Sequence, residues 1–133
     1  MRLSRKSEYA LLALIHLAKN FDIKLVTLKA LSGQNDIPPK FLETILIFLK
    51  QAGYIRSVRG PKGGYKLAKS PDQIALAEIF RCIDGPLAPV ISASLHFYEK
   101  SPIEKSKKLH TLLKEIRDYV SAILEKTTLK DLL

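Results

Sequence analysis

The stretch Tyr54-Ile55-Arg56-Ser57-Val58-Arg59-Gly60-Pro61-Lys62-Gly63-Gly64-Tyr65-Lys66-Leu67-Ala68 decides the fold. Tyr54 to Val58 and Tyr65 to Ala68 have the composition of short strands, and the segment between them is glycine-rich and basic. Its three glycines permit positive φ and close approach of the backbone to another surface. The stretch therefore reads as a β-hairpin with a cationic tip. Around it, no acid occurs between Thr44 and Ser70, while Lys50, Arg56, Arg59, Lys62, Lys66 and Lys69 do. Such a block attracts polyanions, of which nucleic acid is the commonest. The glycines and Pro61 prevent it from being one amphipathic, membrane-lying helix.

Three helices precede the hairpin. The first is expected from about Ser7 to Asn20, capped by Ser4 or Ser7, with Leu11, Leu12, Leu14, Ile15, Leu17 and Ala18 making it a central core helix. His16 on it reads as a packed or partly exposed residue, not a ligand. Phe21 to Val26 is a connector. Thr27 caps a short second helix that Gly33 is expected to stop, and Gln34-Asn35-Asp36 forms a polar turn. Pro38-Pro39 suit the first turn of a third helix running to Ala52, with Gly53 as terminator. Phe41, Leu42, Ile45, Leu46, Phe48 and Leu49 have inward helical spacing, which leaves Lys40, Glu43 and Thr44 free to face outward. Three helices followed by a basic hairpin define a winged helix-turn-helix. The third helix would enter the major groove, the helix opening at Thr27 would brace it, and Arg59 on the hairpin would reach a minor groove.

Downstream, a helix is expected from Leu76 to Ile83, with Cys82 as a small buried hydrophobe. Pro86, Pro89 and Pro102 break up the next segment, which has at most a short helical piece around Ala93 to Tyr98. A long final helix, Ile103 to Lys126, would be ~35 Å long. Its seam, Leu109, Leu112, Ile116, Tyr119 and Ile123, is spaced as in coiled coils and widened by Leu113, Val120 and Leu124. A domain this small has little core left to cover it, so pairing with a second copy is the favoured reading. Thr128 with Asp131 looks like a capping box for a last short turn, Leu129 to Leu133. The expected architecture is mainly α with a small β-hairpin wing. It divides into a DNA-binding domain at 1–85, a loop at 86–102, and a dimerisation helix with its C-terminal cap at 103–133.

At 133 residues, 47% hydrophobic and 26% charged, the chain suits a single folded domain. Residues 1–70 hold 13 of the 22 Lys and Arg but only 4 of the 13 acids, so the whole +9 excess lies in the first half. A single cysteine excludes an internal disulfide framework or an all-cysteine metal site in one chain. No apolar run reaches bilayer length and no secretory signal is evident, which leads to a cytoplasmic expectation. An enzyme is the weakest class, because no histidine, carboxylate or serine set has motif spacing and Cys82 has no recognisable activating partner. The alternative to a DNA-binding protein is a winged-helix module whose long helix pairs with an acidic protein.

Several segments also resemble the IscR/BadM-type, or Rrf-two, transcriptional regulators. These are the opening Met1-Arg2-Leu3-Ser4-Arg5-Lys6-Ser7-Glu8-Tyr9-Ala10, the triplet Phe41-Leu42-Glu43, the hairpin Ser57-Val58-Arg59-Gly60-Pro61-Lys62-Gly63-Gly64-Tyr65, and the ending Thr127-Thr128-Leu129-Lys130-Asp131-Leu132. The resemblance implies a homodimeric DNA-binding repressor or activator. It implies that Lys40, Phe41 and Glu43 face the major groove; Thr27, Pro38 and Pro39, at the openings of the second and third helices, are further candidate DNA-binding residues. Ser57, Arg59, Gly60 and Lys62 would lie at the minor groove, and Arg2, Ser4 and Lys6 on phosphates. The dimer interface would be Leu109, Leu112, Leu113, Ile116, Tyr119, Val120 and Ile123.

The sequence departs from the family in one respect. Many relatives hold an iron–sulfur cluster on three cysteines in the loop after the Gly-Pro matched by Gly85-Pro86, and this chain has none there. Thiolates are what such clusters require, so no cofactor is expected. Ser92, Ser101 and Ser106, with His110 beyond, are candidates for a lost site. A 2Fe-2S or 4Fe-4S cluster would be in question only if those serines replaced natural cysteines. A small-molecule or protein effector is left unidentified.

Overall fold

The computed structural model describes all 133 residues. Helix α1 spans Arg5–Lys19, α2 Leu28–Asn35 and α3 Pro39–Gln51, followed by strands β1 Ile55–Val58 and β2 Gly64–Leu67. Helix α4 covers Leu76–Asp84 and α5 Lys107–Lys126, with short 3-10 turns at Ile91–Ala93, Pro102–Lys105 and Leu129–Leu132. The architecture is the expected one, a helical domain carrying a single two-stranded antiparallel wing.

Local chemistry sets the ends of the elements. Ser4 Oγ accepts from Ser7 N (3.1 Å) and caps α1, so of the two candidate serines Ser4 is the cap. Thr27 Oγ1 accepts from Ala30 N (3.1 Å) and caps α2. Gly33 does not stop α2, which continues to Asn35 and ends at Asp36 in the left-handed region (φ 52°). Asn35 holds that last turn, because its Nδ2 donates to Leu31 O (2.8 Å) and lies 2.9 Å from His16 Nδ1 on α1.

Three further expectations are corrected. Helix α5 starts at Lys107, not Ile103. Pro102 opens a separate 3-10 turn, and Ser106 Oγ accepts from Leu109 N to begin the helix proper. Its 20 residues make it about 30 Å long. The helical piece of the loop sits at Ile91–Ala93 instead of Ala93 to Tyr98. Cys82 is exposed, because the buried stripe of α4 is Leu76, Ala77, Ile79 and Phe80.

The strands pair in the register Ile55↔Leu67, Arg56↔Lys66, Ser57↔Tyr65 and Val58↔Gly64. Val26 adds an isolated antiparallel bridge to β2, exchanging both backbone hydrogen bonds with Tyr65 (2.9 and 2.8 Å). Two glycines are required by this geometry. A Cβ at Gly63 would lie 2.0 Å from Val58 O, and one at Gly64 would lie 2.7 Å from Val26 O.

One core gathers Leu14 and Leu17 of α1, Leu31 of α2, Leu42, Ile45, Leu46 and Leu49 of α3, Ile55 of the wing and Ile79 of α4. Leu129, in the last turn, is 0% exposed in the same core. Its N–H bonds Ile74 O (3.0 Å) and Leu76 N bonds Thr127 O (2.8 Å). Of the expected Thr128–Asp131 capping box the Asp131 half forms, its Oδ2 accepting from Thr128 N–H (2.8 Å), while Asp131 N–H bonds Thr128 O and not the hydroxyl. The C-terminal cap, grouped by sequence with the long helix, thus returns to the first domain and anchors the end of α5 there.

Candidate nucleic-acid interface

Helix α3 buries Leu42, Ile45, Leu46 and Leu49 and so turns its opposite face to water. Lys40, Glu43, Thr44 and Ile47 stand exposed on that face. Pro39 contributes no N–H, and Pro38 offers no side-chain cap, so the first-turn donors of Lys40 and Phe41 point outward uncapped. Thr44 Oγ1 donates to Phe41 O (2.7 Å), which presents its methyl to solvent. Helix α2 braces α3 through Leu31 and the buried Ser32, whose Oγ donates to Ile37 O (2.6 Å) just before α3 begins. The His16–Asn35 contact fixes α2 on α1. Burial, then the charges of Lys19 and Lys24, lower the His16 pKa, so the neutral ring that accepts from Asn35 is the favoured form.

At the wing, Arg59, Gly60 and Lys62 are exposed at the tip, and Ser57 is half-buried opposite Tyr65. The molecule has three ion pairs, Arg5–Glu8, Arg81–Glu125 and Arg117–Asp118. None involves α3 or the wing. Lys40, Arg56, Arg59, Lys62 and Lys66 therefore stand without an ion-pair partner in the chain.

The other nominated contacts differ in availability. Arg2, Thr27, Pro38 and Pro39 are exposed. Phe41 is 38% exposed, with its ring edge-to-face on Tyr9 (5.5 Å, 77°), so it is shared between core and surface. Lys6 lies with Nζ 4.0 Å from the centre of the Phe48 ring, a cation–π contact. Ser4, nominated as a phosphate contact, is half-buried and bonded within the chain. Its Oγ donates to Asp84 Oδ1 (2.6 Å) and its N–H to Asp84 Oδ2 (3.0 Å), which leaves no proton for a phosphate. Buried Ser7 donates to the same carboxylate (2.6 Å). Burial alone would raise the Asp84 pKa, but the Ser4 and Ser7 hydrogen bonds and the Lys6 charge outweigh it and hold the carboxyl below its ordinary value.

Ile47 was missed by sequence reading, which attended to the polar residues of α3. The signal was its phase, because it falls about 150° round the helix from the middle of the buried stripe. On α5, Leu109, Leu112, Ile116, Tyr119 and Ile123 form an exposed apolar stripe, with Tyr119 at 72%. Leu113, Val120 and Leu124 lie half-buried on the inner side.

In the loop, Ser92 Oγ and Ser101 Oγ are hydrogen-bonded (2.6 Å) and His110 Nε2 lies 3.1 Å from Ser92 O. Ser106, one turn before His110, caps α5. Two hydroxyls satisfying each other and one imidazole are not a donor set for an iron–sulfur cluster. The one thiol, Cys82, stands exposed on α4.

A braced helix with an open cationic N-terminus, beside a basic wing, defines a winged helix-turn-helix DNA-binding protein. The family description "iron-dependent transcriptional regulator" (Rrf2) matches residues 3–133, and the chain belongs to this family. It is 35% identical over 132 residues to the HTH-type transcriptional regulator CymR of Bacillus subtilis, covering 99% of this chain and 89% of CymR. With IscR of Aliivibrio salmonicida it shares 30% over 133 residues, 100% of this chain and 77% of that one. Among solved structures, CymR, the global cysteine regulator of B. subtilis, superposes with a TM-score of 0.79 at 33% identity, covering 99% of this chain and 95% of that one. IscR of T. potens gives 0.76 at 26% identity, with 99% and 85% covered. Family and neighbours are transcriptional regulators, not enzymes.

Proposed function

We propose that the chain is a cytoplasmic, homodimeric, sequence-specific regulator, with α3 in the major groove and the wing in the adjacent minor groove. The observation that carries this is the set of cations on α3 and the wing with no intramolecular ion pair, beside a helix face unused by the core. The apolar stripe of α5 supports the dimer, because the other side of that helix already packs on its own domain. A dimer would read half-sites about one helical turn, ~34 Å, apart. Titration of a labelled duplex at several salt concentrations tests this. Affinity should fall steeply with salt, and Arg59→Ala should weaken binding far more than Lys126→Ala. Equal effects of the two changes would count against it.

The regulator acts without an iron–sulfur cluster, since the loop offers hydroxyls where thiolates are needed. Chain purified without oxygen should contain neither iron nor acid-labile sulfide. A second reading, that the loop is a cluster site emptied of its thiols, is favoured by the gathering of Ser92 and Ser101 beside His110. Changing Ser92, Ser101 and Ser106 to cysteine would separate the two. Gain of iron and visible absorbance supports the emptied site, and no gain leaves the serines as plain loop residues.

A further inference from the structure

Ile47 is 56% exposed at the centre of the outward face of α3. It is absent from the core and from the partly buried apolar residues packed around it. Its apolar neighbours on the same helix behave differently. Phe41 rests on Tyr9, and Phe48 lies under Lys6. A β-branched side chain on a solvated helix face gains no packing and has no advantage in helix propensity. Lys40, Glu43 and Thr44 lie within about 60° of it round the helix. Thr44 adds a methyl to the same patch, because its hydroxyl is turned back onto Phe41 O. This is an apolar spot one turn beyond a carboxylate and two turns beyond a cation, on the helix face proposed to enter the major groove. The one apolar group displayed there by DNA is the C5-methyl of thymine.

We infer that Ile47, with the Thr44 methyl beside it, selects a thymine in each half-site by contact with that methyl. The inference rests on the proposed docking of α3. Lys40 and Glu43 would bring donor and acceptor chemistry to one side of this contact, so the thymine lies next to the bases they face.

The test uses the full chain and duplexes that it enriches from a random library. Each thymine is replaced in turn by deoxyuridine, which deletes only the methyl. At one thymine per half-site the replacement should weaken wild-type binding about fourfold, the worth of one buried methyl group. Ile47→Ala should bind the thymine and deoxyuridine duplexes equally, whereas Ile47→Val should keep the preference. If no thymine shows the cost, or if the cost persists in Ile47→Ala, the inference is wrong while the docking of α3 stands. If wild-type protein enriches no sequence, both fall together.

Discussion

Removing the Ser7 hydroxyl tests how the amino-terminal arm is held. Ser7 is fully buried, and its Oγ donates to Asp84 at 2.6 Å. The same carboxylate takes two further bonds from Ser4 at the start of α1. An acid at the end of α4 would be unfavourable towards that helix's own dipole, yet here it stands at the amino end of α1, where negative charge is favoured. A hydrogen bond to a charged acceptor contributes ~1.5–3 kcal/mol, so Ser7→Ala should cost about 2 kcal/mol at pH 7. For a chain of this size that corresponds to a fall of roughly 6–10 °C in Tm. The cost should also depend on pH. The folded Asp84 pKa lies below the ordinary 3.8, so on acidification the unfolded chain takes up its proton first. The stabilisation is complete above the unfolded value and is lost as pH falls through the lower folded one. Urea midpoints at pH 7, 5, 3 and 2 should show a gap between wild type and Ser7→Ala that is constant down to pH 5 and narrows below the ordinary carboxyl range. A cost under about 0.5 kcal/mol at pH 7, or a gap unchanged at pH 2, would refute the assignment. Asp84→Asn and Ser7→Ala should be strongly non-additive, as expected for partners in one contact.

Two other substitutions separate the surfaces. Gly63→Ala forces a Cβ to within 2.0 Å of Val58 O, so the wing turn must shift. Duplex affinity should fall while helical circular dichroism is kept, since the wing carries no helix. Ile116→Asp places a charge in the exposed α5 stripe, which should convert a dimer to a monomer by light scattering without lowering helix content.

The winged helix was legible because its determinants are local: the Thr27 cap, the proline pair at α3 and the glycines of the wing. What failed was decided by tertiary contacts. Gly33 looked like a helix stop, yet Asn35 reaches both Leu31 O and His16 and carries α2 a turn further. Ile103 looked like the start of α5, but Pro102 commits it to a 3-10 turn and Ser106 caps the helix at the Leu109 N–H. The internal contacts of Ser4 and Lys6 were not legible either, because nothing nearby in sequence announces Asp84, 80 residues away, or the Phe48 ring. Cys82 and Ile47 were different cases. Helical phase alone would have placed both outside, and reading by residue type overrode it.

The two exposed surfaces also constrain each other. Along α5, Leu124 packs on the core and the Leu129 turn anchors the helix end, so the outer stripe cannot also fold back onto its own chain. In the proposed dimer, pairing through that stripe would fix the separation of the two α3 helices, because the same helix is fastened to its own DNA-binding domain at its end. Half-site spacing then becomes a property of the protein, not of the DNA. Inserting about five base pairs between selected half-sites turns one of them to the far side of the duplex, and inserting about ten restores the face but lengthens the span by ~34 Å. Both duplexes should bind no better than a single half-site. Binding of either one at wild-type strength would mean that α5 does not hold the two reading heads in register.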